Sequence, residues 1–195
     1  MAIVHLLVEG EIDEAVARRV VSEAGHTVGV CYGKQGIGYI RSKIGGFNSS
    51  AVAMPYLALV DFADTGCPCP GDVVTRLVPY RNPKMLFRVV VREIESWLLA
   101  DRSGLAGFLQ VAVDRMPHYP ENEVDPKQSL VNIARRSRSP KIQSSLVPIQ
   151  GSTATVGQLY NADLVRFVTE TWSISNASIY SPSLNKCLSR LRDLA

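Results

Sequence analysis

Hydrophobic and polar positions switch between two periods along this chain, and the switches mark its elements. Residues 2–8 (AIVHLLV) form an apolar run that stops at Glu9-Gly10. Beyond it Ile12, Ala15, Val16, Arg19, Val20 and Ala24 recur at helical spacing, which predicts strand, turn, helix. Gly25 closes that helix, and Thr27 to Cys31 resumes the apolar character of a strand. The β-α-β rhythm is that of a sheet with parallel strands. Gly33-Lys34-Gln35-Gly36-Ile37-Gly38 reads as a flexible loop, and the segment running to Ala53 as a helix weakened by Gly45 and Gly46. Tyr56 to Val60 predicts a third, buried strand that enters Asp61-Phe62-Ala63-Asp64 and then a loop rich in Gly, Cys and Pro. Lys84 to Arg92 reads as a fourth strand, and Glu93 to Asp101 as a helix.

From about residue 102 the pattern is mainly helical, with breaks such as Met116-Pro117-His118-Tyr119-Pro120. Asp125 before Pro126 and Ser181 before Pro182 each set a capping side chain ahead of a proline at the first helical position, which predicts helices near 126–138 and 182–193. There is no internal repeat and no linker-like tract, so residues 1–195 are expected to form one α/β domain. Its core, about 1–101, carries a mainly parallel central sheet flanked by helices, and about 102–195 is a helical C-terminal elaboration.

Composition narrows the class without deciding the function. With 46% hydrophobic and 20% charged residues, the chain is neither disordered nor fibrous. MAIVHLLVEG lacks a basic leader, and AVAMPYLALV is interrupted by proline and too short for a bilayer, so a cytoplasmic location with no membrane partner is expected. Cys31, Cys67, Cys69 and Cys187 lack paired CxxC spacing, which favours reduced thiols over a structural zinc site. The formal charge of +3 is small, but Arg135, Arg136, Arg138 and Lys141 concentrate positive charge in one stretch.

Candidate chemistry lies in acids that follow strands. Residues just past the carboxyl ends of parallel strands gather along one edge, where open α/β folds bind ligands. Glu9, Asp61 and Glu93 all occupy such positions. Crowded carboxylates repel unless a cation neutralises them, and oxygen-only ligands favour Mg²⁺, Mn²⁺ or Ca²⁺. Such an ion suits phosphodiester hydrolysis. There are competing readings. Glu11, Asp13 and Glu14 fall in the first turn of a helix, where the macrodipole alone favours acids. Asp64 also suits a turn, and Glu93 or Glu95 could face solvent or pair with Arg88 or Arg92.

Val8-Glu9-Gly10-Glu11 after a strand, followed by an acid pair after a third strand, resembles a TOPRIM domain, the fold shared by topoisomerases, primases and OLD-type nucleases. More narrowly, VEGEIDEAVARRVV, LVDFADTGCPCP, VREIESWLLAD, DPKQSL and SPSL resemble an uncharacterised bacterial TOPRIM-like group, domain-of-unknown-function family 4276. The resemblance implies Mg²⁺ or Mn²⁺ held at Glu9 and Asp61; either Asp64 reaches the ion from the loop, or Glu11, Glu93 and Glu95 complete the site, with Glu95 or Glu93 assisting as ligand or base. It departs at Ala63, which stands where the second acid of the usual pair belongs, with Asp64 one place later. It further implies a nuclease acting on DNA or RNA in phage defence or mobile-element control, with an ATPase as possible partner. The alternative is a non-catalytic TOPRIM-like module that docks such a partner, and homo-oligomers fit either.

Smaller signals complete the reading. Lys34, Lys127, Arg135, Arg136 and Arg138 are candidate contacts to a nucleic-acid backbone, although a merely solvated basic face has the same pattern. GKQGIG lacks the GKS or GKT of a P-loop, and His5 and His26 lie outside any ligand pattern and read as structural. Trp97 and Trp172 read as core residues.

Overall fold

The computed structural model describes residues 1–194. Four parallel strands, β1 (Ile3–Val8), β2 (Thr27–Gly33), β3 (Tyr56–Asp61) and β4 (Met85–Val90), form one sheet in the order β2-β1-β3-β4. Helices α1 (Glu11–Glu23), α2 (Gly36–Ser50) and α3 (Pro70–Leu77) connect them in turn. The chain therefore steps from β1 outward to β2, then returns across β1 to β3. Right-handed crossovers that step in opposite directions put their helices on opposite faces, so both faces of the sheet must be apolar. Leu7, Tyr56, Ala58, Val60, Met85 and Phe87 pack with Ile40 and Ile44 of α2 and Val73 of α3. The alternate residues Leu6, Val8, Leu57 and Leu59 are equally buried and, by the period of two, line the other face, where α1 packs.

The chain divides into two compact units. The first is Met1–Val91 together with the chain from Ser183 onward, and so contains the sheet and nearly all of α10 (Pro182–Arg192). His26 ties α10 to this unit. Its Nδ1 accepts the Ala2 N–H at 3.2 Å, which leaves Nε2 to donate to the Leu191 carbonyl at 2.8 Å. His5 serves the sheet in a similar way. The β1–β2 register slips between Val4 and Leu6, and His5 Nδ1 accepts the Val30 N–H at 3.0 Å where the ladder is interrupted.

The second unit, Arg92–Pro182, is helical. Its centre is α4 (Ile94–Ala100), buried at all seven positions and flanked by α5 (Arg102–Leu109), α6 (Pro126–Ala134) and α9 (Ile174–Tyr180). A helix buried all round is expected to be largely apolar; Trp97, Leu98 and Leu99 supply most of that surface, and Glu95 and Ser96 are the buried polar exceptions. Trp172 Nε1 donates to the Trp97 carbonyl at 3.3 Å. α7 (Pro140–Leu146) and α8 (Tyr160–Glu170) complete the unit.

Several boundaries differ from the sequence reading for local reasons. The helix expected over 126–138 ends at Ala134, because Ser139 precedes a proline and takes an extended conformation before capping α7. GKQGIG is mostly not a loop: Gly33 ends β2 and Gly36 begins α2. Gly33 has φ +101, and a Cβ there would collide with the Val8 carbonyl. α2 runs through Gly45 and Gly46, whose carbonyls accept the Ser49 and Ser50 hydroxyls. The Gly-, Cys- and Pro-rich stretch contains α3, begun by Pro70 at its first turn. Among the described residues no helix is long and apolar enough to cross a membrane.

Asp101 holds two elements of the second unit in place. The residue is buried, its Oδ1 accepts the Gly104 N–H at 3.2 Å as the cap of α5, and its Oδ2 accepts the Ser173 N–H at 2.8 Å. A Cβ at position 104 would run into that carboxylate. Gly104→Ala is therefore expected to lower the unfolding free energy by about 1–3 kcal/mol, measured by urea denaturation. No loss, or the gain of about 0.4–1 kcal/mol that an unstrained helical Gly→Ala exchange brings, would mean that Asp101 is not held as described.

Candidate functional site

The strand order reverses at β1, which places the switch point of the sheet, where open α/β folds bind ligands, at the carboxyl ends of β1 and β3. Two acids meet there. The Phe62 N–H points to β4 and donates to the Val90 carbonyl at 2.9 Å. Successive N–H groups of a strand point to opposite sides, so that of Asp61 faces β1. β1 has already ended at Val8, and Glu9 fills the gap, its Oε1 accepting the Asp61 N–H at 2.9 Å. The Glu9 side chain thus replaces a strand carbonyl.

This placement is costly in water lost. Burial pushes the Glu9 carboxyl up to about 7; the Asp61 N–H opposes the rise, the carboxylates of Asp13 and Asp64 add to it, and the Arg41 guanidinium opposes it. Asp61 is buried as the last residue of β3. Asp13 is buried in the first turn of α1 beside Gly10, where an added Cβ would meet its Oδ2 at 3.1 Å. Asp64 is exposed in the short 3₁₀ turn Ala63–Thr65. Its carbonyl and that of Thr65 accept the Arg41 Nη2, both at 2.9 Å.

The other candidates have partners of their own or are exposed. Glu11 is exposed in the first turn of α1. Lys34 is paired with Glu14 at 2.9 Å, and Glu14 also binds Arg18 at 2.7 Å. Glu93, Glu95 and Lys127 come together inside the second unit. Glu93 Oε2 accepts the Lys127 N–H at 3.2 Å, and the Lys127 ammonium lies 3.9 Å from Glu95 Oε1. Glu95 therefore has Lys127 as its partner, where the sequence suggested Arg88 or Arg92. Tyr160, which sequence reasoning did not single out, donates its hydroxyl to Glu95 Oε1 at 3.0 Å. Arg135, Arg136 and Arg138 are all exposed. Arg136 borders an open groove of about 780 Å³ whose lining also includes Arg115 and the acids Asp114, Glu123 and Asp125.

Glu9 and Asp61 offer only hard oxygen donors, the chemistry Mg²⁺ and Mn²⁺ select. Among the described residues no group of three or more His, Cys, Asp and Glu side chains is gathered as a metal site. Mg²⁺ does not require one, since it keeps several waters and is commonly held by one or two carboxylates with substrate phosphates. The pair fits such an ion. Comparison with protein-family models, with curated proteins and with solved structures found no match.

Glu95 carries a pH dependence of its own. It is 1% exposed, and burial raises its carboxyl from the ordinary 4.5 to about 7 against the pull of Lys127. A carboxyl that binds its proton more tightly when folded favours the native state below pH 4.5 and loses that advantage as pH rises through 7. Glu95→Gln removes this titration while keeping an acceptor for Tyr160. Its stability relative to wild type should therefore improve by about 2–3 kcal/mol between pH 5 and 8, measured by urea denaturation across that range. Parallel profiles for the two proteins would show that Glu95 is not desolvated.

Proposed function

We propose that the first unit is a Mg²⁺-dependent phosphodiesterase centre of TOPRIM type, with Glu9 and Asp61 as metal ligands and a nucleic acid as substrate. One observation carries this reading: the carboxylate of Glu9 is fixed by the Asp61 N–H at the order-reversal point of a parallel sheet. Glu9 Oε1 is committed to that bond, which orients Oε2 and sets the carboxylate beside the end of β3. Asp13 and Asp64 add negative potential that draws a cation to the pair. A bound Mg²⁺ supplies stabilisation of charge on a phosphate and a more acidic water. Exposed Arg135, Arg136 and Arg138 suit backbone phosphates, whereas Lys34 and Lys127 must share their charge with Glu14 and Glu95. A role in phage defence or mobile-element control and an ATPase partner rest on the resemblance alone.

A second reading is favoured by Ala63. With a methyl group where the TOPRIM pair has its second acid, the edge could bind a cation without turning over, and the chain would serve as an interaction module.

Glu9→Gln and Asp61→Asn separate the two. Each keeps shape and hydrogen-bonding capacity and removes one ligand charge. Under the catalytic reading both reduce Mg²⁺- or Mn²⁺-dependent cleavage of labelled DNA and RNA by roughly a hundredfold or more, with circular dichroism melts showing the fold retained. Equal cleavage by wild type and both variants would remove the pair from catalysis, and no cleavage by the wild type on either substrate would favour the interaction module.

A further inference from the structure

We propose that Arg41, on α2, is the residue that grips the phosphodiester presented to the Glu9–Asp61 pair; the inference rests on the nucleic-acid reading of that edge. Arg41 is exposed, yet its guanidinium is anchored. Nη2 donates to two successive carbonyls, those of Asp64 and Thr65, at 2.9 Å each, in the turn that begins directly after Asp61 and Phe62. A planar guanidinium held through one nitrogen has its orientation set, and its other N–H groups lie in the same fork, the geometry that matches phosphate oxygens.

The anchoring groups matter as much as the position. A backbone carbonyl orients the guanidinium without cancelling its charge, whereas a carboxylate does both. Lys34, which follows β2, is paired with Glu14 at 2.9 Å. Arg41 makes no ion pair with any carboxylate among the described residues. Its charge is therefore available to an incoming anion while its side-chain entropy has already been partly lost. The crevice that Arg41 borders with Thr65, Cys67 and Arg76 has about 10 Å³ of free space, room for about one water and far too little for a phosphodiester, so a ligand must approach from solvent. Because the turn that holds Arg41 follows directly on the end of β3, a phosphate bound by Arg41 would lie at the end of the strand that presents Asp61.

The test is anisotropy of short fluorescein-labelled DNA and RNA oligonucleotides in EDTA, at several salt concentrations, with wild type and Arg41→Gln, Arg41→Lys, Lys43→Gln and Glu9→Gln. Glutamine removes the charge, and because its amide ends two bonds short of the Nη2 that braces the turn, circular dichroism melts matching wild type are required to show the fold retained. Arg41→Gln is expected to weaken binding roughly three- to tenfold and to lower the slope of log K against log salt by about one. Arg41→Lys should retain part of the affinity. Lys43→Gln, an exposed charge change on the same helix, should change it little, and Glu9→Gln should not weaken it. Wild-type affinity and slope in Arg41→Gln would reduce Arg41 to a loop brace and overturn the proposal, as would an equal loss in Lys43→Gln or no binding by the wild type. The cleavage assay keeps the two ideas separate. If Glu9→Gln cleaves like wild type, the catalytic reading fails whatever Arg41 does. If Glu9→Gln is inactive and Arg41→Gln matches wild type in binding and kcat/KM, only the Arg41 assignment fails.

Discussion

The hydrogen bond from the Asp61 N–H to the Glu9 carboxylate joins the fold of the first unit to its chemistry. β1 is shorter than β3 at its carboxyl end, which leaves an inward-pointing N–H that no strand satisfies. A buried donor without a partner costs about 1–3 kcal/mol, so position 9 must supply an acceptor long enough to reach across. An acid does so with a charge-assisted bond, but the same burial drives its carboxyl up to about 7. The residue is thus held by the sheet and strained electrostatically by its surroundings. That conflict is relieved by a cation or a proton, and perturbed carboxyls of this kind concentrate at functional sites.

Much of this arrangement could be read from the sequence because it depends on local pattern. The apolar runs located all four strands within a few residues, and acids placed just after them pointed to one edge of a parallel sheet. Asp125 could be recognised as a cap from the proline that follows it, and its Oδ1 accepts the Gln128 N–H at 2.7 Å. What the pattern could not show was pairing between distant residues. That Glu9 would take a backbone donor 52 positions away depends on β1 ending short of β3, a property of register that hydropathy does not carry. Lys34 looked available in sequence, and Glu14 claims it only once β2 lies beside β1. The signal for α3 was present in Pro70 followed by Val73, Val74 and Leu77 but was outweighed by the glycines and cysteines around it.

The second unit uses its acids differently. Glu93 and Glu95 follow a strand as Glu9 does, and sequence alone groups all three. Their contacts do not. Glu93 takes the Lys127 N–H in the first turn of α6, and Glu95 takes the Tyr160 hydroxyl and lies near the Lys127 ammonium. Burying Glu95 costs stability that packing around α4 must offset, and breaking a buried charge pair is worse than never having made it. These interactions seat α6 and α8 against the central helix, while Glu95 Oε2 stays buried without a hydrogen-bond partner. Position after a strand is therefore a weaker indicator than what each carboxylate touches.

The same distinction applies to the cations. A lysine or arginine near an acidic centre can neutralise it, compete with a metal for it, or recruit a second anion to it, and the outcome depends on which oxygens hold the cation. Carboxylate partners lower the local sum, as Glu14 does for Lys34 and Arg18, which share its one negative charge. Carbonyl partners leave the formal charge intact. Arg41, held by the Asp64 and Thr65 carbonyls, therefore stands as a fixed positive charge beside fixed negative ones. The turn that holds it starts two residues beyond Asp61, so the strand that presents the acid also leads into the backbone that orients the cation. On the proposed reading, a ligand that carries both a metal ion and a phosphate would satisfy the two sets together, and neither the ion nor the phosphate would do so alone.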